Sequence, residues 1–132
     1  MSTKLNHIAI VVEDIEQALA VYRDAIGLHL ENVTAEPAEA VRVAYLPTPT
    51  GEIELIQPTT PDSGVAKYLA KKGEGLHHIC LEVNDIEATT RRLAEQGMEV
   101  LGEIRTNQRG DRYIFIHPKS AHGVLIELYQ VA

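Results

Sequence analysis

The chain has 132 residues, enough for one domain, and 45% of them are hydrophobic, which suffices for a core of that size. Its net charge of -7 argues against a nucleic-acid backbone or an anionic membrane surface as a partner. No apolar run is long enough to cross a membrane, there is no leader-like segment, and the single cysteine, Cys80, cannot form an internal disulfide. We therefore expect a cytoplasmic protein in which Cys80 is a small core residue.

The first half of the chain predicts one strand, one helix and three more strands. Residues 5–12 are the β-branched and small apolar residues typical of a strand, Asp14 can cap a helix, and Gly27 can end it. The apolar positions of this helix are Ile15, Ala18, Leu19, Tyr22 and Ile26. The three strands that follow are predicted at about 28–33, 41–46 and 52–57.

The second half repeats this order after a connector at about 59–75 that contains a short helix. A strand at 76–83 leads to Asp85 as a helix cap and to Gly97 as its end. Further strands are predicted near 98–104, 112–117 and 124–130. We expect an α+β fold: a single domain over 1–132, built from two βαβββ modules (about 3–58 and 76–130) related by a pseudo-twofold, with mixed sheets curving around a cleft.

A histidine and a glutamate occur in each copy of the repeat. LNHIAIVVEDIEQA, with His7, returns as LHHICLEVNDIEAT, with His78, and an Ile-Glu-Leu triplet places Glu54 in one copy and Glu127 in the other. The sequence separation between the two histidines nearly equals that between the two glutamates. If the halves pack as related partners, the four side chains converge at one point.

Strand alternation agrees with this convergence. His78 shares a face with Cys80, whereas His77 shares the opposite, strongly apolar face with Leu81, which should pack on a helix. By the same alternation, His7 lies on the face of its strand opposite the apolar residues that face the helix. Each glutamate stands between an isoleucine and a leucine and so points away from them.

Two imidazoles and two carboxylates predict a site for one divalent metal ion, with His7, Glu54, His78 and Glu127 as ligands. Cobalt, manganese, nickel, zinc, iron and magnesium remain open, because these ligands do not choose among them. Two positions of an octahedron would stay free for a bidentate oxygen ligand, which indicates Lewis-acid stabilisation of an enolate.

At these residues the chain resembles the vicinal oxygen chelate superfamily, and within it the methylmalonyl-CoA epimerase family. The resemblance covers nearly the whole chain, most specifically AKYLAKKGEG followed by LHHI, and HPKS followed by GVLIEL near the end. It implies the same four metal ligands, a methylmalonyl-CoA substrate whose (2R) and (2S) forms are interconverted, and a homodimer. Glu127, with Glu54 as its counterpart, is the candidate acid/base pair by analogy with related sites.

Two departures from the family pattern concern substrate and proton transfer. Arg42 stands where at least one epimerase has a further glutamate, and NQRG at 107–110 replaces a GAHG-like loop. For the CoA portion, the resemblance favours contacts from Lys119 and Ser120. His117 is expected to order the turn before Pro118.

Other functions that proteins perform with the same βαβββ modules stay open at this point. A glyoxalase I uses the same type of metal set on a glutathione hemithioacetal. A metal-free small-molecule binding protein needs no ligand set, and a ring-cleaving dioxygenase needs only three ligands and usually a longer chain.

Overall fold

The computed structural model describes residues 3–132 and has the α+β architecture predicted from the sequence. Within these residues, eight strands and three α-helices form two β-α-β-β-β repeats joined by a helical connector. The strands are β1 (Lys4–Val11), β2 (Asn32–Glu36), β3 (Val41–Thr48), β4 (Gly51–Pro58), β5 (Gly75–Glu82), β6 (Val100–Thr106), β7 (Arg112–Ile116) and β8 (Ile126–Gln130). The helices are α1 (Ile15–Leu19), which continues as a π-helix over Ala20–Ala25, α2 (Gly64–Lys72) and α3 (Ile86–Glu95). Over the described part of the chain, no helix has the length and apolar character needed to span a membrane.

Backbone contacts divide the chain into two compact units. The α2 unit comprises residues 8–77, and the α3 unit comprises 78–132 together with residues 3–7. The division falls inside β1 and β5, so that His7 belongs to the unit that contains the second half of the sequence. The prediction of a single domain over 1–132, with modules at about 3–58 and 76–130, stays a prediction.

In the α2 unit the strands run in the order β2-β3-β4-β1, and β3 pairs antiparallel with both β2 and β4. The carboxylate of Asp14 caps α1 by accepting hydrogen bonds from the first backbone N–H groups of the helix, as predicted. Helix α1 covers one face of these strands, where Val12, Ile15, Leu19 and Leu55 are buried together.

The opposite face of the α2 unit is covered by the connector helix. Ala9, Val11, Val43 and Ile56 are buried there against Val65 of α2. The predicted phase of the first strand is therefore confirmed, since Ala9 and Val11 lie opposite the row that packs on α1. The sequence predicted the connector helix, but not that it would fill this face.

The first predicted helix deviates at its C-terminal end. The backbone N–H of Ile26 donates to Val21 five residues earlier, and the π-helical turn rotates the last residues out of the α-helical phase. Ile26 is 61% exposed, so its assignment to the apolar row of the helix was wrong. Gly27 follows with a φ of 95°, as expected for a residue that ends a helix.

The second strand was predicted at 28–33 but runs over Asn32–Glu36. The short 3-10 turn Pro37–Glu39 and the left-handed Ala40 reverse the chain directly into β3, and this turn sets which residues can pair. The apolar run that suggested the earlier position, with Leu28 and Leu30, packs as a loop against the core beside α1.

In the α3 unit, β5 and β8 pair in parallel, and β7 pairs antiparallel with both β8 and β6. The carboxylate of Asp85 caps helix α3 as predicted, and the helix covers a face that carries Val83, Ile114 and Leu128. The opposite face carries a smaller group of buried side chains, Cys80, Tyr113 and Tyr129 with Phe115 beside them. The predicted histidine and glutamate positions of this unit lie on that second face.

Candidate metal centre

His7, His78 and Glu127 meet on the face of the α3 unit opposite helix α3. In the parallel register of β5 and β8, Cys80 stands beside Glu127, and alternation places His78 on the same side of β5 as Cys80. All three are buried, with 3%, 9% and 7% of their surfaces exposed. Strand phase therefore selected His78 rather than His77 correctly.

Their polar atoms converge at one point. Nε2 of His7 lies 3.3 Å from Nε2 of His78 and 3.2 Å from Oε1 of Glu127, and Nε2 of His78 lies 3.1 Å from the same oxygen. Three potential acceptors this close require positive charge among them, supplied by protons on the rings or by a bound cation.

Glu127 is ionised in this environment despite its burial. Burial by itself raises the pKa of the carboxyl group, but the hydrogen bonds from His7 and His78 outweigh it and lower the pKa of Glu127 to about 2. A carboxylate that stays charged at neutral pH is the form that a metal ion requires of its ligand.

The spacing of the three atoms fits a divalent metal ion. With ligand bonds of about 2.1 Å, neighbouring ligands of a tetrahedral or octahedral ion lie about 3.0 to 3.4 Å apart, which covers all three observed separations. The ligand atoms of His7, Cys80 and Glu127 also lie within 4.8 Å of one another. The described residues thus contain a donor set that can hold a metal ion.

Aromatic side chains enclose the histidine rings. The ring of Tyr129 stands edge-on to His7 with the centroids 6.1 Å apart, and Phe115 stands edge-on to His78 at 5.4 Å. Tyr113 is buried beside Phe115. These walls keep bulk water from the converging atoms and strengthen every charge interaction among them.

A second polar cluster, which the sequence reading missed, holds Tyr129 in place. The hydroxyl of Tyr129 donates to Asp111 Oδ2 at 3.1 Å and accepts from Arg109 Nη2 at 3.3 Å, while Asn107 Nδ2 contacts the same oxygen at 2.5 Å. Asp111 is itself buried and accepts from the backbone N–H of Ala132. The sequence signal for this cluster was that Tyr129 follows Glu127 by two residues, which places both side chains on the same face of β8.

Glu54, the fourth predicted ligand, belongs to the α2 unit. It is 8% exposed and stands opposite Tyr45 in the register of β3 and β4. Its neighbours Ile53 and Leu55 pack on the α1 side, so Glu54 points to the opposite face, as predicted.

Arg42 lies on the other side of β3 from the residues that share a face with Glu54. Val43 and Tyr45 are buried on the face of Glu54, whereas Arg42 alternates with them and is exposed. An acid or base at position 42 would therefore project away from Glu54.

Lys119 and Ser120, the predicted contacts for CoA, lie in the 3-10 turn Pro118–Ala121. The Lys119 side chain is exposed, and its backbone N–H donates to Nδ1 of His117, which orders the turn as expected. Ser120 Oγ accepts a hydrogen bond from the backbone N–H of Glu99. Ser120 thus has a structural bond, whereas the Lys119 side chain extends into solvent.

Residues 6–115 match the model of the Glyoxalase/Bleomycin resistance protein/Dioxygenase superfamily. The chain belongs to this superfamily, which confirms the resemblance predicted from its repeated motifs. It is 42% identical to the ethylmalonyl-CoA/methylmalonyl-CoA epimerase of Cereibacter sphaeroides, over 99% of this chain and 100% of that relative.

Solved structures of epimerases have the same fold. The methylmalonyl-CoA epimerase of Mycobacterium tuberculosis superposes with a TM-score of 0.91 at 36% identity, covering 98% of this chain and 88% of that one. A methylmalonyl-CoA epimerase in complex with methylmalonyl-CoA and NH4+ also superposes with a TM-score of 0.91, at 35% identity, covering 100% and 96% of the two chains.

Proposed function

We propose that this protein is a metal-dependent epimerase that interconverts (2R)- and (2S)-methylmalonyl-CoA. The observation that carries the proposal is the convergence of His7, His78 and Glu127 within 3.3 Å in a chain that resembles methylmalonyl-CoA epimerases over its full length. An acyl-CoA substrate is supported by the solved relative that contains methylmalonyl-CoA together with a cation.

The protein ligands of the ion are proposed to be His7, His78 and Glu127, with Glu54 as the fourth. The proposal for Glu54 rests on the sequence repeat, in which it corresponds to Glu127, and on its burial on a strand face of the α2 unit. A divalent ion bound there would stabilise the negative charge that develops on the substrate when its α-proton leaves. Cobalt, manganese, nickel, zinc and magnesium are the candidate ions.

Epimerisation needs two proton transfers and no other reactant. The bond between the α-carbon and its hydrogen breaks, the proton passes to a base, and the electron pair spreads into the thioester carbonyl. An acid then returns a proton to the opposite face of the α-carbon. General acid and base catalysis of this kind is worth about 10²- to 10⁴-fold.

Glu127 and Glu54 are the proposed proton-transfer residues. Glu127 is buried and ionised at neutral pH, so it can accept a proton without first losing one. Val43 and Tyr45, on the face of β3 that Glu54 shares, carry no carboxylate, which favours Glu54 itself as the partner acid.

Binding of the CoA portion is proposed to involve Lys119 and Ser120. The exposed ammonium group of Lys119 suits a phosphate, and Ser120 lies beside it in the same turn. A homodimer and a cytoplasmic location are further parts of the proposal.

Solvent deuterium incorporation tests this function. The protein, stripped of metal and reloaded with Co²⁺, is incubated in D₂O with each epimer separately, and α-deuterium is followed by mass spectrometry. We expect exchange from both epimers, its loss with a chelator, and a strong reduction in Glu127→Gln. Glu95→Gln, at an exposed position of α3, is the matched control and should exchange like wild type.

Two outcomes would overturn the proposal. One is the absence of exchange with every candidate metal. The other is turnover of a glutathione hemithioacetal without α-proton exchange, which would make the protein a glyoxalase. If Glu127→Gln and Glu54→Gln each lose exchange from only one epimer, the two faces of the α-carbon are assigned to the two carboxylates.

A further inference from the structure

A chain of polar side chains leads from the protein surface to the ring of His7. Asn6 Oδ1 lies 2.7 Å from His7 Nδ1, on the side of the ring away from Glu127, and Asn6 Nδ2 donates to Glu82 Oε1 at 3.0 Å. The other carboxylate oxygen of Glu82 pairs with Lys4 Nζ at 3.5 Å. All four residues belong to the α3 unit.

The charge of Glu82 determines which way the Asn6 amide points. A carboxylate has no hydrogen to donate, so the amide must turn its NH₂ group toward Glu82. Its carbonyl oxygen then faces His7, and because that oxygen also has no hydrogen, Nδ1 of His7 must carry a proton. With Nδ1 protonated, Nε2, which lies 3.2 Å from Glu127, is the ring nitrogen that can give up its hydrogen and offer a lone pair to a metal ion.

We propose that Asn6, oriented by Glu82, is a positioning residue that keeps the proton on Nδ1 of His7 and so directs Nε2 to the metal. The inference rests on the proposed function, because it assigns Asn6 a role in holding the ligand of that same site. Asn6 itself touches neither metal nor substrate.

The other half of the repeat has a different residue at the position equivalent to Asn6. His77, which precedes His78 as Asn6 precedes His7, stands edge-on to the ring of Tyr68 with the centroids 4.7 Å apart. At the equivalent position of the repeat, an imidazole therefore replaces the Asn6 amide.

Nitrogen NMR of the metal-free protein tests the proton position directly. With ¹⁵N-labelled histidine at neutral pH, wild type should show a protonated Nδ1 in His7. In Asn6→Leu, Nδ1 has lost its acceptor while Nε2 still faces Glu127, so the ring should keep its hydrogen on Nε2 and lose the one on Nδ1. Asn32→Leu, the same substitution at an exposed strand position, should leave the His7 signals unchanged.

Metal affinity provides the second readout. Loss of a hydrogen-bond partner behind a ligating histidine typically weakens metal binding about 10- to 100-fold. Calorimetric titration with Zn²⁺ should show a loss of this size in Asn6→Leu, and less than about threefold in Lys4→Ala, because an exposed ion pair contributes little.

A double variant that exchanges the amide of Asn6 and the carboxylate of Glu82 distinguishes a positioning role from an effect on folding. In the double variant Asn6→Asp with Glu82→Gln, a carboxylate accepts from His7 and a side-chain amide donates to that carboxylate. Its Zn²⁺ affinity should return to within about threefold of wild type, whereas Asn6→Asp alone places two carboxylates together and should bind more weakly.

The two readouts distinguish failure of this inference from failure of the proposed function. An unprotonated Nδ1 in wild type, or an Nδ1 of His7 that keeps its proton in Asn6→Leu, would overturn the role of Asn6 whether or not the protein binds metal. Absence of Zn²⁺ binding by wild type, with the expected loss of the Nδ1 proton in Asn6→Leu, would instead contradict the proposed metal site.

Discussion

The two halves of the sequence repeat form the same order of elements, but the faces that carry their histidine and glutamate positions differ in chemistry. Two residues after the histidine stands Ala9 in one half and Cys80 in the other, and two residues after the glutamate stands Ile56 or Tyr129. In the α2 unit this face carries Glu54 among largely apolar side chains and packs against helix α2. In the α3 unit it carries aromatic rings, a thiol and three converging polar atoms.

This difference indicates that the two compact units, rather than the two sequence halves, have largely divided two tasks, with Glu54 the proposed ligand that lies in the α2 unit. The α2 unit buries both faces of its strands among apolar side chains, which stabilises it through the hydrophobic effect. The α3 unit leaves one face to His7, His78 and Glu127 and supports them with Asn6 and Tyr129. Substitutions in the two units should therefore separate stability from metal binding.

The largest expected effect is on catalysis, from Glu127→Gln. The substitution removes a charged ligand and a proposed base, so exchange of the α-proton should fall by at least about 10³-fold. Glu54→Gln keeps an oxygen that can contact the ion but removes the proposed partner acid, so its loss should be smaller, about 10²-fold. Exchange rates in D₂O measure both, and equal losses would contradict the division of tasks.

The largest effect on stability is expected in the α2 unit, from Leu55→Ala. Leu55 is fully buried beside α1, and truncating such a residue costs about 2 to 5 kcal/mol of the free energy of unfolding. Urea denaturation measures this loss. The affinity of the folded protein for Co²⁺ should change less than about threefold, and a large loss of affinity would show that the two tasks are coupled.

Acid should weaken the metal-free site through Glu127. The pKa of this carboxyl group falls from 4.5 to about 2 on folding, so its contribution to stability is present above pH 4.5 and is lost as the pH falls toward 2. The contribution corresponds to about 3 kcal/mol. In a chelator, the difference in unfolding free energy between wild type and Glu127→Gln should shrink over this range, and a difference independent of pH would contradict the assigned hydrogen bonds.

The smallest expected effect comes from Tyr129→Phe in the α3 unit. The change removes the hydroxyl that bonds to Asp111 and Arg109, and a buried polar group left without its partner costs about 1 to 3 kcal/mol. The ring beside His7 is kept, so metal affinity should change only a few-fold. Thermal unfolding and metal titration of the same samples check both statements.

Much of the fold could be predicted from periodicity alone. The caps Asp14 and Asp85 and the phase of β1 and β5 are local properties, written in alternation and spacing that need no knowledge of tertiary contacts. The π-helical turn that exposes Ile26 and the tight turn that shifts β2 depend on backbone geometry and on strand pairing. The spacing of apolar residues carries no information about either.

Residues of the candidate site could be predicted where the sequence repeat relates them to one another. The repeat pointed to His7, Glu54, His78 and Glu127 because it pairs residues of like chemistry at like positions, and His7, His78 and Glu127 meet in the α3 unit. It could not find Asn6 or Asp111, since their partners lie 76 and 18 residues away in sequence and no repeat relates them.

Metal titration tests the central claim most directly. Metal-free wild-type protein titrated with Co²⁺ should bind one ion per chain and gain α-proton exchange in proportion to the ion bound. Glu127→Gln should lose both together while Glu95→Gln keeps both. Exchange that proceeds at full rate in a chelator, or Co²⁺ binding that is unchanged in Glu127→Gln, would contradict the assignment of His7, His78 and Glu127 as the metal centre.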